Sequence, residues 1–159
     1  MNGYGVIHLS KLKKCFIIKL LISVNIIMST PRRKLGDLGE KIAREYLEKQ
    51  NYKIIDLNWQ KQWGEIDIIA RENNRKGNKN LVFIEVKTRN KLKNRSYGLP
   101  EDAVNFFKRK KIIQTARNYL FKKHYPEDTN WRIDVIAIEI NEENHRANLR
   151  HMKSAVDYN

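Results

Sequence analysis

Apolar residues along this chain follow two rhythms. Over 36–50 they recur every three to four positions, and Leu35, Leu38, Ile42 and Tyr46, with Leu47 offset, form one stripe of a predicted helix. Asn51 follows as its stop. The rhythm then changes. Segments 52–57, 65–70 and 81–88 are short and rich in Ile, Val and Phe, and each reads as a strand. The polar stretch 58–63 reads as a turn, and the charged, Asn-rich stretch 71–80, with Gly77, as a hairpin loop. A basic loop over 90–99 leads to Pro100, which suits the first turn of a long helix over about 101–123. A final strand is expected over 131–140, and the polar tail beyond it carries no assigned element. The order α-β-β-β-α-β predicts an α/β fold, a mixed sheet flanked by helices. Four β-type runs exclude an all-helical bundle.

The length of 159 residues fits one domain, and 41% hydrophobic residues suffice for a core. Cys15 is the single cysteine, which excludes a disulfide framework and a cysteine-built zinc site and makes a reducing, cytoplasmic location the expectation. The formal net charge of +14 points to a polyanionic partner, nucleic acid first and an anionic membrane surface second. Residues 1–27 differ from the rest. They hold Lys11, Lys13, Lys14 and Lys19, no acid, and an apolar patch over 15–21 that Lys19, Ser23 and Asn25 break up. No small-residue cleavage site follows, and the patch is shorter than the roughly 20 residues a membrane span needs. This segment is expected to be a leader, disordered or preceding a true start at Met28, with 28–159 as the single domain and no membrane partner. Without it the net charge is still +10.

Within 81–88 the side chains alternate, so Leu81, Phe83, Glu85 and Lys87 share one face of the strand. A carboxylate and an ammonium thus project together from an otherwise apolar strand. Burying either is expensive unless it is paired or bound to a metal. The preceding strand carries Asp67, which a hairpin brings beside Glu85. Two neighbouring carboxylates repel, and a divalent cation relieves that repulsion; an oxygen-only donor set suits Mg²⁺ or Mn²⁺ better than Zn²⁺. Lys87 can orient a water or offset charge on a phosphate. The same three residues also fit an ordinary structural ion pair on a half-exposed sheet face.

The string Gly64-Glu65-Ile66-Asp67, followed by Val82-Phe83-Ile84-Glu85-Val86-Lys87-Thr88-Arg89, resembles the D…E-x-K core of the PD-(D/E)XK nuclease superfamily. More closely, the chain resembles the YraN family of endonuclease-like proteins. The matching pattern runs from Gly36-Asp37-Leu38-Gly39-Glu40, Ala43 and Leu47 through Tyr52-Lys53-Ile54 and Asn58-Trp59. It continues through Tyr97-Gly98, Ala103-Val104, Lys108, Ala116 and Tyr119-Leu120 to Arg132-Ile133-Asp134-Val135. It spans roughly 34–155. Two departures are mild: Gln50-Asn51 stands where a Gly usually precedes the Tyr, and the 71–80 loop is long.

The resemblance implies a restriction-endonuclease-like αβββαβ core and a relation to archaeal-type Holliday junction resolvases. It implies a metal-dependent endonuclease that hydrolyses DNA, branched or structured DNA among its candidate substrates. Asp67 and Glu85 would hold Mg²⁺ or Mn²⁺, Glu40 on the first helix would complete the shell, and Lys87 would act in catalysis. DNA is the expected partner ahead of RNA, and junction-cutting relatives imply a homodimer. The alternative is a nuclease-fold protein that binds nucleic acid, or a repair or replication partner, without cutting.

Other residues carry two readings each. Glu40 is otherwise an exposed residue of a charged first turn, and Glu65 either a supporting neighbour of Asp67 or a surface charge. Asp134 has Arg132 two residues earlier on the same face, which favours a structural ion pair. Lys108, Arg109, Lys110 and Lys111, with Arg89, Lys91, Lys93, Arg95, Lys122 and Lys123, form a candidate phosphate-contacting surface or a solvated helix face. Trp59 and Trp63 flank Lys61; packing is expected of both ahead of base stacking. No role is assigned to His124, His145 or His151.

Overall fold

The computed structural model describes residues 3–8, 30–62, 64–73, 79–90 and 106–156. Helix α1 spans Pro31–Lys49. Thr30 caps it, accepting a hydrogen bond from the Arg33 amide at 3.3 Å, and Pro31 occupies the first turn. The helix therefore starts about one turn before the apolar stripe does. It ends where expected: Asn51 takes the left-handed conformation with φ 64°. Strands β2 (Tyr52–Lys61), β3 (Gly64–Asn73) and β4 (Lys79–Asn90) form an antiparallel meander. Helix α2 (Phe106–Lys122) crosses back so that β5 (Trp131–Asn141) lies parallel to β4.

The predicted αβββαβ order is present, and two further strands widen the sheet. The tail without an assigned element contains β6 (Arg146–Val156), antiparallel to β5. Strand β1 (Gly3–His8), within the segment read as a leader, pairs antiparallel with β6, giving the order β1-β6-β5-β4-β3-β2. The stretch 58–61, expected to turn, continues β2, and residues 71–73 and 79–80 belong to strands rather than to the loop. Among the described residues no helix is long and apolar enough to cross a membrane.

The two helices cover opposite faces. Ile42, Ala43 and Leu47 of α1 pack on Ile68, Val82, Ile84, Val86, Ile136 and Ile138. Ile112, Ala116 and Tyr119 of α2 pack on Ile66, Ile69, Leu81, Phe83 and Val135. Burial on both faces explains why β4 and β5 are continuously apolar in their central stretches rather than alternating.

Candidate functional site

The site forms where the sheet divides. Strands β3 and β4 pair from Asn73 opposite Lys79 to Ile68 opposite Ile84, and among the described residues no pair follows. Beyond that point β3 stays with β2, while β4 continues to Asn90 paired with β5. The division has a local cause. Ile68 packs toward α1 whereas Ile66 packs toward α2, so the side-chain alternation breaks at Asp67. On β2 the register passes from Leu57 opposite Ile68 to Trp59 opposite Ile66, and Asn58 between them has φ 50°. Asn is the side chain that best tolerates this left-handed conformation after glycine.

Asp67 sits at the fork. Its Oδ2 accepts a hydrogen bond from the Val86 amide at 2.6 Å, replacing the next backbone rung between the two strands. Its neighbours there are Glu85, which is 2% exposed, and Lys87, whose ammonium pairs with Glu85 Oε1. Burial, then the negative charge of Glu85, pushes the Asp67 carboxyl up to about 7; the Val86 amide and Lys87 oppose the shift, and Glu40 adds to it. Asp67, Glu85, Lys87 and Glu40 thus share one electrostatic environment.

Glu40 reaches this environment because α1 touches β4 closely. A Cβ at Gly39 would lie 1.7 Å from Thr88 Oγ1, so no larger residue fits between helix and strand. The next residue, Glu40, is half-buried beside the fork. Burial raises its pKa above the usual carboxylate value, a hydrogen bond with Asn58 works against this, and the charges of Asp37 and Glu65 add to it. Asn58, matched only as part of a motif, therefore has a physical role: it shapes the fork and holds Glu40. Glu65 is exposed, and its charge acts on Glu40.

Among the described residues no three Asp, Glu, His or Cys side chains converge into a ready-made metal group. The compact donor pair is Asp67 with Glu85, and Glu40 is coupled to Asp67 by charge rather than gathered into one triad with them. The donor chemistry still fits a hard dication. Asp67, pushed toward its protonated form by burial and then by Glu85, and Glu85, already paired with Lys87, together offer the oxygen donors that such an ion takes.

The candidate cations divide. Arg109, Lys110 and Lys111 are exposed on α2, and Lys111 stands beside Gly64 at the mouth of the fork. Arg89 is held by Glu139, with Nη2 and Nε at 2.7 and 3.1 Å from Oε1. Lys91, Lys93, Arg95 and Trp63 lie outside the described residues, as does the side chain of Lys108. Trp59 packs edge-on against Tyr119 with centroids 5.0 Å apart, as packing predicted.

Asp134 is fully buried and structural. Arg132 Nε donates to its Oδ1 at 2.9 Å, the Ser154 amide donates to the same oxygen at 2.9 Å, and His151 Nε2 lies 3.0 Å from Oδ2. Arg132 also pairs with Glu72, which accepts from Tyr52 Oη at 2.8 Å and Lys153 Nζ at 2.7 Å. Ser154 has φ 51° at an irregularity where β6 slips against β5, and the Asp134 carboxylate pins it. His151, given no role from its spacing, is thus a buried partner in a clasp across the sheet.

Comparison with known proteins assigns the chain to a family. Residues 39–138 match the model of the uncharacterised protein family UPF0102. The chain is 38% identical to a UPF0102 protein of Clostridium beijerinckii over 132 residues, 83% of this chain and 100% of that one. It is 40% identical to UPF0102 proteins of Caldanaerobacter subterraneus over 116 residues and Chloroflexus aurantiacus over 111, each 70% of this chain and 84% and 83% of the relatives. The matched residues run from the Gly39–Thr88 contact through the fork to β5, and the chain belongs to family UPF0102, the YraN family.

Proposed function

We propose that the fork is the active site of a metal-dependent endonuclease acting on DNA, with branched or structured DNA as candidate substrates. The observation that carries this reading is the meeting of Asp67 with the Glu85–Lys87 pair where the sheet divides. Asp67 and Glu85 would hold Mg²⁺ or Mn²⁺, with Glu40 near enough to act through water. When bound, such an ion polarises a phosphoryl oxygen and makes a water acidic enough to attack.

The chain's own residues do the rest. The Val86 amide fixes the orientation of Asp67, so the carboxylate is positioned before any ligand arrives. Lys87, at 18% exposure, stands at the surface of an otherwise buried site, where its ammonium offsets charge gathering on the phosphate. The exposed cations of α2 supply affinity without sequence preference.

The second reading, binding without turnover, draws support from one feature: Glu85 and Lys87 already neutralise each other as an ion pair. A single assay separates the two. Wild type, Asp67→Ala and Lys87→Ala are incubated with linear, flapped and four-way DNA in Mg²⁺, Mn²⁺ or EDTA. Metal-dependent cutting by wild type, abolished in both variants, is the expected result. Binding without any cutting leaves the second reading.

A further inference from the structure

The seam between β2 and α2, beside the fork, holds two lysines in a way the carboxylate site does not use. Lys61 Nζ lies 4.4 Å from the centre of the Trp59 ring, and Lys123 Nζ lies 5.4 Å from the same ring and 5.6 Å from that of Tyr119. The rings are themselves fixed edge-to-face in the core, so both ammonium groups rest on a rigid aromatic shelf. Lys123 also forms a long, solvent-exposed ion pair with Asp56 Oδ2 at 3.7 Å, which a phosphate can displace. Lys61 sits opposite Gly64 in the β2–β3 register, and a Cβ at Gly64 would lie 3.6 Å from the Lys111 carbonyl and 3.7 Å from the Lys111 Cβ. Both ammonium groups share the Trp59 ring and so lie within about 10 Å of each other, with Lys111 near Lys61 at the Gly64 end.

We propose that this seam holds one strand of nucleic acid beside the fork, with Lys61 and Lys123 gripping neighbouring backbone phosphates. The inference rests on the nucleic-acid reading above and adds to it where the strand lies. A stacked strand rises about 3.4 Å per nucleotide, so two ammonium groups within about 10 Å of each other match phosphates of one backbone no more than about three nucleotides apart. Aromatic support restricts both lysines before binding, so less side-chain freedom is lost when the strand docks.

The test measures binding of a fluorescent single-stranded oligonucleotide to the full chain in EDTA across a salt series, so that cleavage plays no part. Lys61→Gln and Lys123→Gln are each expected to reduce the slope of log affinity on log salt by about 0.7, the value of one lost single-strand phosphate contact. Lys123→Arg should restore the wild-type slope. Lys49→Gln, an exposed residue of α1 on the opposite face, should leave it unchanged. Slopes unaltered in both seam variants, or altered equally by Lys49→Gln, overturn the proposal. Absence of binding by wild type at low salt overturns it together with the nucleic-acid reading. Seam-dependent binding by a protein that cuts nothing upholds the seam and removes only the nuclease.

Discussion

Asp67 Oδ2 and the Val86 amide, 2.6 Å apart, stand where β3 and β4 cease to pair. A side chain here completes a rung that the backbone abandons. The strand edge stays satisfied, and the carboxylate is held between the diverging strands beside Glu85 and Lys87. The fork and the candidate chemistry are thus one feature.

Removing the lysine tests catalysis without removing a carboxylate. Lys87→Gln is expected to lower the single-turnover cleavage rate by about 10²-fold or more, the usual effect of deleting one preorganised donor. Unchanged cleavage would assign Lys87 to the ion pair alone.

Metal binding should depend on pH in a definite direction. Burial and the charge of Glu85 raise the Asp67 pKa to about 7, so below that pH the site carries a proton that a cation must displace. Millimolar Mg²⁺ or Mn²⁺ is therefore expected to raise the thermal midpoint more at pH 8 than at pH 6. A gain of 1 kcal/mol corresponds to about 2–4 °C in a domain of this size. Asp67→Asn should show no such rise at either pH, read by differential scanning fluorimetry.

The Arg132 clasp makes a separate prediction about acid. Burial pushes Glu72 upward, but hydrogen bonds from Arg132, Lys153 and Tyr52 prevail and hold its pKa at about 2, below the usual 4.5. Its folded value is the depressed one, so its contribution is complete above about pH 4.5 and disappears as pH falls toward about 2. Glu72→Gln should lower stability at neutral pH and flatten the acid limb in that window. Asp134→Ala, which takes the acceptor from Arg132 Nε and the Ser154 amide, should lose about 3–5 kcal/mol in urea denaturation. A loss below about 1 kcal/mol would contradict the clasp.

Gly39 offers a test of how Glu40 is positioned. Gly39→Ala forces the new methyl into Thr88 and is expected to cost about 1–3 kcal/mol of stability. Displacing α1 also moves Glu40, so cleavage by the folded variant should fall. Wild-type stability and activity together would show that the helix is free to shift.

Much of this was legible in the chain. The stripe Leu38–Ile42–Tyr46 fixes the buried side of α1, and the apolar 81–88 run makes Glu85 and Lys87 conspicuous because such a strand has little other reason to carry them. What stayed hidden depends on partners distant in sequence. Strand β6 places Ala147, Leu149 and His151 inward, but the histidine and the slip at Ser154 break its period. The fork arises from a change of face at Asp67, which Gly64-Glu65-Ile66-Asp67 does not reveal on its own. Asn58 looks like turn chemistry and proves to be a strand position with positive φ that serves Glu40.

Because one backbone proton bridges the dividing strands, it can serve as a built-in gauge. The Val86 N–H resonance reads the ionisation of the Asp67 carboxylate that accepts its hydrogen bond. Titrating acid or a diamagnetic dication into isotopically labelled protein should shift this amide first, reporting occupancy of the fork before any substrate is known.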